Sequence, residues 1–133
     1  MTVKAAFRVD IPSELARVDE VCRAARTLLE RNGLESRVFV ADLLLREFIN
    51  NAILHGNGSD SSKRVCVSVK IYGHTIALTV ADEGSGFDWH AQMRNVPETS
   101  DVSGRGLAIG MEYAKKIKYN RSGNRVVIII RNA

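Results

Sequence analysis

At 133 residues the chain is long enough for one hydrophobic core and too short for two comfortable ones. Hydrophobic residues make up 45% and charged residues 26%, an ordinary globular balance, and no apolar run approaches the roughly 20 residues of a membrane span. The net charge of +4, from 19 Lys and Arg against 15 Asp and Glu, comes from scattered residues rather than a basic stripe interleaved with aromatics, which argues against nucleic-acid binding.

The first residues alternate: Val3, Ala5, Phe7, Val9 and Ile11 against Thr2, Lys4, Arg8 and Asp10. That pattern predicts a half-buried strand rather than a signal peptide, so the chain is expected in the cytoplasm. Pro12-Ser13-Glu14 then opens a helix with Ser13 as N-cap. Leu15, Val18, Cys22, Ala25 and Leu29 form its apolar stripe, and Asn32-Gly33 stops it. A second helix is predicted from about Ser36 to Leu54, with Val38, Ala41, Leu45, Phe48, Ile49 and Ala52 facing the core. Glu47, Asn51 and His55 lie four apart and form a polar ridge beside that stripe.

A polar loop follows from His55 to Ser62. Val65, Val67, Val69 and Ile71 form an alternating strand, Tyr72-Gly73-His74 a tight turn, and Ile76, Leu78 and Val80 the antiparallel partner. Residues 88–103 read as irregular. A third helix is expected from about Gly104, carrying Leu107, Gly110, Met111, Ala114 and Ile117. Lys115, Lys116 and Lys118 fall at its end, where cations suit the helix dipole. Tyr119 to Arg121 and Arg125 to Arg131 then form a closing hairpin around Ser122-Gly-Asn124. Cys22 and Cys66 are 44 positions apart with no CxxC spacing, so they read as small core or half-buried residues rather than a metal or disulfide framework. Hairpin-paired strands and helices with one apolar stripe each predict a two-layer α/β sandwich, not a βαβ repeat.

Three segments carry chemistry. Glu47 and Asn51 are one helical turn apart and point into the same space. An Asn oxygen can ligate Mg²⁺, which uses one or two protein oxygens and takes the rest from water and phosphate. Glu47 can accept a proton from a hydroxyl or a water, and His55 can reach a phosphate. In the second segment, Asp82-x-Gly84-x-Gly86, an acid leaves a strand end at glycines. It suits the exocyclic amine of adenine, with backbone passing close to the ring. The third, Gly104-Arg105-Gly106-Leu107, offers bare amides at a helix start, which suits phosphates. Arg105 can reach a terminal phosphate. Each segment by itself also fits a blander reading: an exposed helix face, a turn, a glycine pair.

Together, Glu47-x-x-x-Asn51-Ala-x-x-His55-Gly56, Asp82-Glu-Gly84-x-Gly86-Phe87 and Gly104-x-Gly106-Leu107 resemble the three nucleotide-binding boxes of the Bergerat-type, histidine-kinase-like ATPase superfamily. Within it the chain most resembles the small anti-sigma-factor serine/threonine kinases, over nearly its whole length. The resemblance implies an α+β two-layer sandwich, with a mixed, mostly antiparallel sheet and three helices on one face, in a single domain over residues 1–133. It implies ATP and Mg²⁺ as ligands, Asn51 on the metal, Glu47 as general base and Asp82 on the adenine amine. Gly84 and Gly86 would shape that turn. Gly104, Arg105, Gly106 and Leu107 would sit at the phosphates, and residues 88–103 would form the ATP lid. It further implies a STAS-domain anti-anti-sigma protein as phosphate acceptor, a sigma factor as competing partner and a homodimer, with no nucleic acid and no membrane. Two rivals stand beside it. One is a nucleotide-binding switch with little turnover. The other is an excised catalytic domain of a sensor histidine kinase, against which count the short lid and the lack of a preceding phosphoacceptor segment.

Overall fold

The structure is a computed structural model and describes residues 2–85, 108 and 110–131. Strand β1 (Ala5–Pro12) leads through a 3₁₀ turn at Leu15–Arg17 into helix α1 (Val18–Arg31). A second 3₁₀ turn enters helix α2 (Val38–Asn51), which runs on into a π-helical turn at Ala52–Gly56. Strands β2 (Arg64–Tyr72), β3 (Thr75–Ala81), β4 (Ala114–Tyr119) and β5 (Arg125–Arg131) complete a five-stranded sheet in the order β1-β2-β3-β5-β4. Among the described residues, no helix is long and apolar enough to cross a membrane.

Alternation builds the sheet. Val65, Val67, Val69 and Ile71 of β2, Ile76, Leu78 and Val80 of β3, and Val126, Ile128 and Ile130 of β5 are all buried on one face. Against that face pack Val21, Cys22, Ala25 and Leu29 of α1 and Ala41, Leu44, Leu45, Phe48 and Ile49 of α2. Helices on one face of a sheet give the two-layer α+β architecture. The β2–β3 hairpin closes at Tyr72↔Thr75, with Gly73 at φ 59° as the first of two loop residues, a conformation glycine adopts without steric cost.

The expected mixed sheet is antiparallel in all four of its described pairings. β3 and β4 do run the same way, but β5 lies between them and pairs antiparallel with each. The third helix ends earlier than its pattern suggests. Residues 110–113 are helical, whereas Ala114 and Ile117 belong to β4. The cause is a bulge: the β4–β5 register shifts between Ala114 and Lys116. One extra residue turns a strand period of two into a spacing of three, which mimics a helix. Lys115, Lys116 and Lys118 therefore lie on an edge strand and not at a helix end. Gly110 has a packing role, since a β-carbon there would meet Leu44 Cδ2 at 2.5 Å.

Ser13 does not cap a helix. It is buried, its hydroxyl donates to Lys63 O at 2.7 Å, and it accepts from Asn57 Nδ2 at 2.8 Å. α1 instead starts at Val18, after the 3₁₀ turn, with no side-chain cap. Leu15 falls in that turn and is 51% exposed, off the stripe predicted to include it.

Candidate functional site

The end of α2 and the end of β3 meet at two glycines. Past Asn51, the winding widens to a π turn, and the Asn57 N–H donates five residues back to Ala52 O at 2.8 Å. Such turns are rare and often sit at functional sites. This one brings Gly56 against the start of the β3 exit loop. A β-carbon on Gly56 would lie 2.2 Å from Asp82 Oδ2, and one on Gly84 would lie 1.9 Å from Gly56 O. Only bare α-carbons allow this approach.

Asp82 is held in place from several sides. Its backbone N–H donates to Asn124 O at 2.9 Å, and its Oδ1 accepts from Gly84 N–H at 2.8 Å. Half-burial pushes its carboxyl pKa up, while the Gly84 N–H and the Lys63 charge oppose the shift. Tyr119 is raised as well, by burial and then by the Asp82 charge. Its ring packs on Phe48, with centroids 6.2 Å apart and planes tilted by 48°. Asn51, Ala52, Asp82, Tyr119 and Asn124 line one small groove over Phe48.

The structure thus brings Asn51 and Asp82 to a shared groove, although they lie on different layers. Glu47 is half-buried one turn back along α2, outside the lining of that groove. His55 is exposed in the π turn. Winding advances less per residue there, so His55 does not extend the Glu47–Asn51 ridge in a straight line. Gly86, Gly104, Arg105, Gly106, Leu107 and the 88–103 lid segment lie outside the described residues.

Several supporting residues were not predicted. Asn57 is 3% exposed and ties three segments together. Its Nδ2 donates to Ser13 Oγ at 2.8 Å and to Arg64 O at 3.0 Å, and its Oδ1 accepts from Glu83 N at 2.9 Å. The Glu83 carboxylate in turn accepts from the Arg64 N–H. Asn124 Nδ2 donates to Gly84 O at 3.1 Å. In sequence, Asn57 sits inside a Gly- and Ser-rich stretch and Asn124 inside a turn, where Asn is ordinary. Gly56 does carry a signal, because it directly follows the Asn51-to-His55 ridge.

The groove gathers groups of three kinds. It has a half-buried carboxylate as acceptor, aromatic rings beside it, and a neutral amide oxygen at a helix end. A Mg²⁺ here would draw on Asn51 and complete its shell with phosphate and water oxygens.

Comparison with known proteins shows likeness at the level of family, sequence and fold. A family model described as a histidine kinase-like ATPase domain matches residues 11–131. An anti-sigma F factor of Anoxybacillus flavithermus (strain DSM 21510 / WK1) is 44% identical over 45 residues, a match spanning 34% of this chain and 31% of that protein. The histidine kinase domain from the Erythrobacter litoralis EL346 blue-light activated histidine kinase superposes with a TM-score of 0.53 at 20% identity, covering 91% of this chain and 61% of that one. At that identity the likeness is one of fold.

Proposed function

Because this chain belongs to the family of histidine kinase-like ATPase domains, we propose that it binds Mg-ATP in the Asn51–Asp82 groove and phosphorylates a serine or threonine of another protein. The observation that carries this reading is the placement of Asp82. A carboxylate beside a strand end, held by the Gly84 N–H and cleared by Gly56, is an acceptor poised for an exocyclic amine. Asp82 binds the adenine amine, and Gly84 and Gly86 shape the turn beneath the ring. Asn51 holds the metal, which when bound neutralises phosphate charge. Gly104, Arg105, Gly106 and Leu107 face the phosphates, His55 adds a phosphate contact, and residues 88–103 close as a lid. Glu47 takes the proton of the attacking hydroxyl.

The acceptor is a STAS-domain anti-anti-sigma protein. The unphosphorylated form of that protein competes with a sigma factor for this kinase. The partial likeness to an anti-sigma F factor supports this choice of partners. Incubation of the protein with Mg-ATP and a STAS-domain protein encoded beside it tests the reading. Phosphoserine or phosphothreonine on the STAS protein is the expected product, and no nucleotide binding at all would overturn the reading.

A second reading has one observation in its favour. Glu47 stands outside the groove lining that Asn51 and Asp82 share, as a nucleotide-tuned switch with little turnover would allow. Single-turnover assays separate the two, since the switch binds ATP without consuming it.

A further inference from the structure

Cations that are scattered along the sequence are gathered by the sheet. Strand residues that alternate with the buried ones point away from the helix layer. They include Arg8, Lys70, Lys116, Lys118, Arg125 and Arg131. Asp10 is the only acid in the described strands.

This open face holds a recess. Register sets Arg8, Ser68 and Thr79 in one row across the sheet, and Cys66, Ala81 and Arg125 in the next. Short side chains at the centre, between longer ones at Arg8, Lys70 and Arg125, leave a cavity of about 510 Å³, the size of a small-molecule site. Those three cations, the Ser68 and Thr79 hydroxyls and the Cys66 thiol line it, and among the described residues no acid does.

Arg8 is already turned over the floor. Its Nε donates to Cys66 Sγ at 3.1 Å, while Asp10 approaches its Nη2 only to 3.9 Å, too long for a hydrogen bond. Burial, and next the Asp10 carboxylate, raise the Cys66 thiol pKa against the pull of Arg8. The floor therefore presents no thiolate to an anion at neutral pH.

We propose that this recess binds a small molecule bearing two or more phosphate groups, as a second ligand site on the sheet face opposite the helices. Arginine meets phosphate through its forked N–H groups and lysine as a point charge, and the hydroxyls can donate to the remaining oxygens. Strands about 4.8 Å apart set the Arg8 and Arg125 backbones roughly 14 Å apart across the sheet, a span for a ligand that is anionic at more than one point. The hydroxyls lie on the floor, below the tips of the cations. A small ligand reaches both levels, whereas a membrane or a duplex would rest on the tips alone. Among the described residues, Arg125 alone lines both this recess and the Asn51–Asp82 groove.

Cys66 is a built-in reporter, since Cys22 is buried. Alkylation of Cys66 by N-ethylmaleimide in magnesium-free buffer, followed by mass spectrometry, reads occupancy with tripolyphosphate as the probe. Tripolyphosphate should slow alkylation about fivefold or more, at a half-protecting concentration about tenfold or more below that of inorganic phosphate. Sodium chloride of matched ionic strength should not protect. Arg8→Ala/Lys70→Ala should raise the half-protecting concentration about tenfold or more and leave ATP affinity unchanged, with Arg125 kept because it also lines the groove. Circular dichroism checks that the variant is folded. No protection, equal protection by sodium chloride, undiminished protection in the double variant, or a parallel loss of its ATP affinity would each overturn the proposal. So would stronger protection by duplex DNA or by phosphoinositide vesicles than by tripolyphosphate.

Discussion

Gly56 and Asp82 are in such close contact that a β-carbon at position 56 would sit 2.2 Å from Asp82 Oδ2 and 2.4 Å from its Cγ. The end of one layer thus sets where the carboxylate of the other can stand. Gly56→Ala should push the Asp82 side chain out of place. The expected result is a loss of ATP affinity of about tenfold or more, with a stability loss of about 1–3 kcal/mol from overpacking. Isothermal titration and urea unfolding measure the two effects, and unchanged affinity would show that Asp82 does not need this clearance.

Asp82→Asn separates binding from stability. Burial raises the carboxyl pKa in the folded chain above its unfolded value. A raised pKa means that the native state binds the proton more tightly. The stability it lends is present at acid pH and lost as pH rises through the folded value. At neutral pH the ionised, half-buried carboxylate is therefore a net cost to the ligand-free fold. Asn keeps an oxygen for the Gly84 N–H while removing the charge. The variant should melt at a higher temperature than wild type at pH 7, and the difference should vanish in acid. Its ATP affinity should nevertheless fall about tenfold or more, through loss of a charge-assisted hydrogen bond. Wild-type affinity should also weaken on acidification by more than that of the variant. Equal affinities at pH 7 would remove Asp82 from the adenine site.

Asn57→Ala tests the clamp behind the site. Its amide serves Ser13, Arg64 and Glu83 from a buried position. Truncation strands the Glu83 N–H and the Arg64 carbonyl, at a cost of about 3 kcal/mol, or roughly 10 °C in melting temperature. Urea unfolding checks this, and a loss below about 1 kcal/mol would mean that water replaces the amide.

These residues also mark how far the chain can be read before it folds. The β2–β3 hairpin is legible because strict alternation and Gly73 specify both register and turn. α2 is legible because its stripe persists through Ala52, and the Glu47–Asn51 spacing needs only helical geometry. β4 is not, because a bulge at Ala114 and Lys116 erases the period that would identify it. Ser13 is misleading because Ser-x-x-x before an apolar stripe is a local signal, while its partners Lys63 and Asn57 are long-range ones. Asn57 is hidden for the same reason, since its Ser13 contact spans 44 positions. Charge and apolar period specify elements. Buried polar clamps are specified only by what the fold brings beside them.

Glu47→Gln bears on the chemistry itself. Glu47 lies on α2 one turn before Asn51 and is half-buried. Gln is nearly isosteric and stays helix-compatible, so packing should persist. It cannot take a proton at neutral pH. If Glu47 is the general base, ATP affinity should remain within about twofold, while the transfer rate to the STAS protein falls by about 10²–10⁴-fold. Single-turnover transfer of labelled phosphate, with nucleotide affinity measured in parallel, reads the two quantities apart. Asn51→Ala should behave differently, losing Mg-dependent affinity because it acts on binding. A Glu47→Gln variant that transfers phosphate at the wild-type rate would leave Glu47 as a helix residue beside the nucleotide and favour the switch over the kinase.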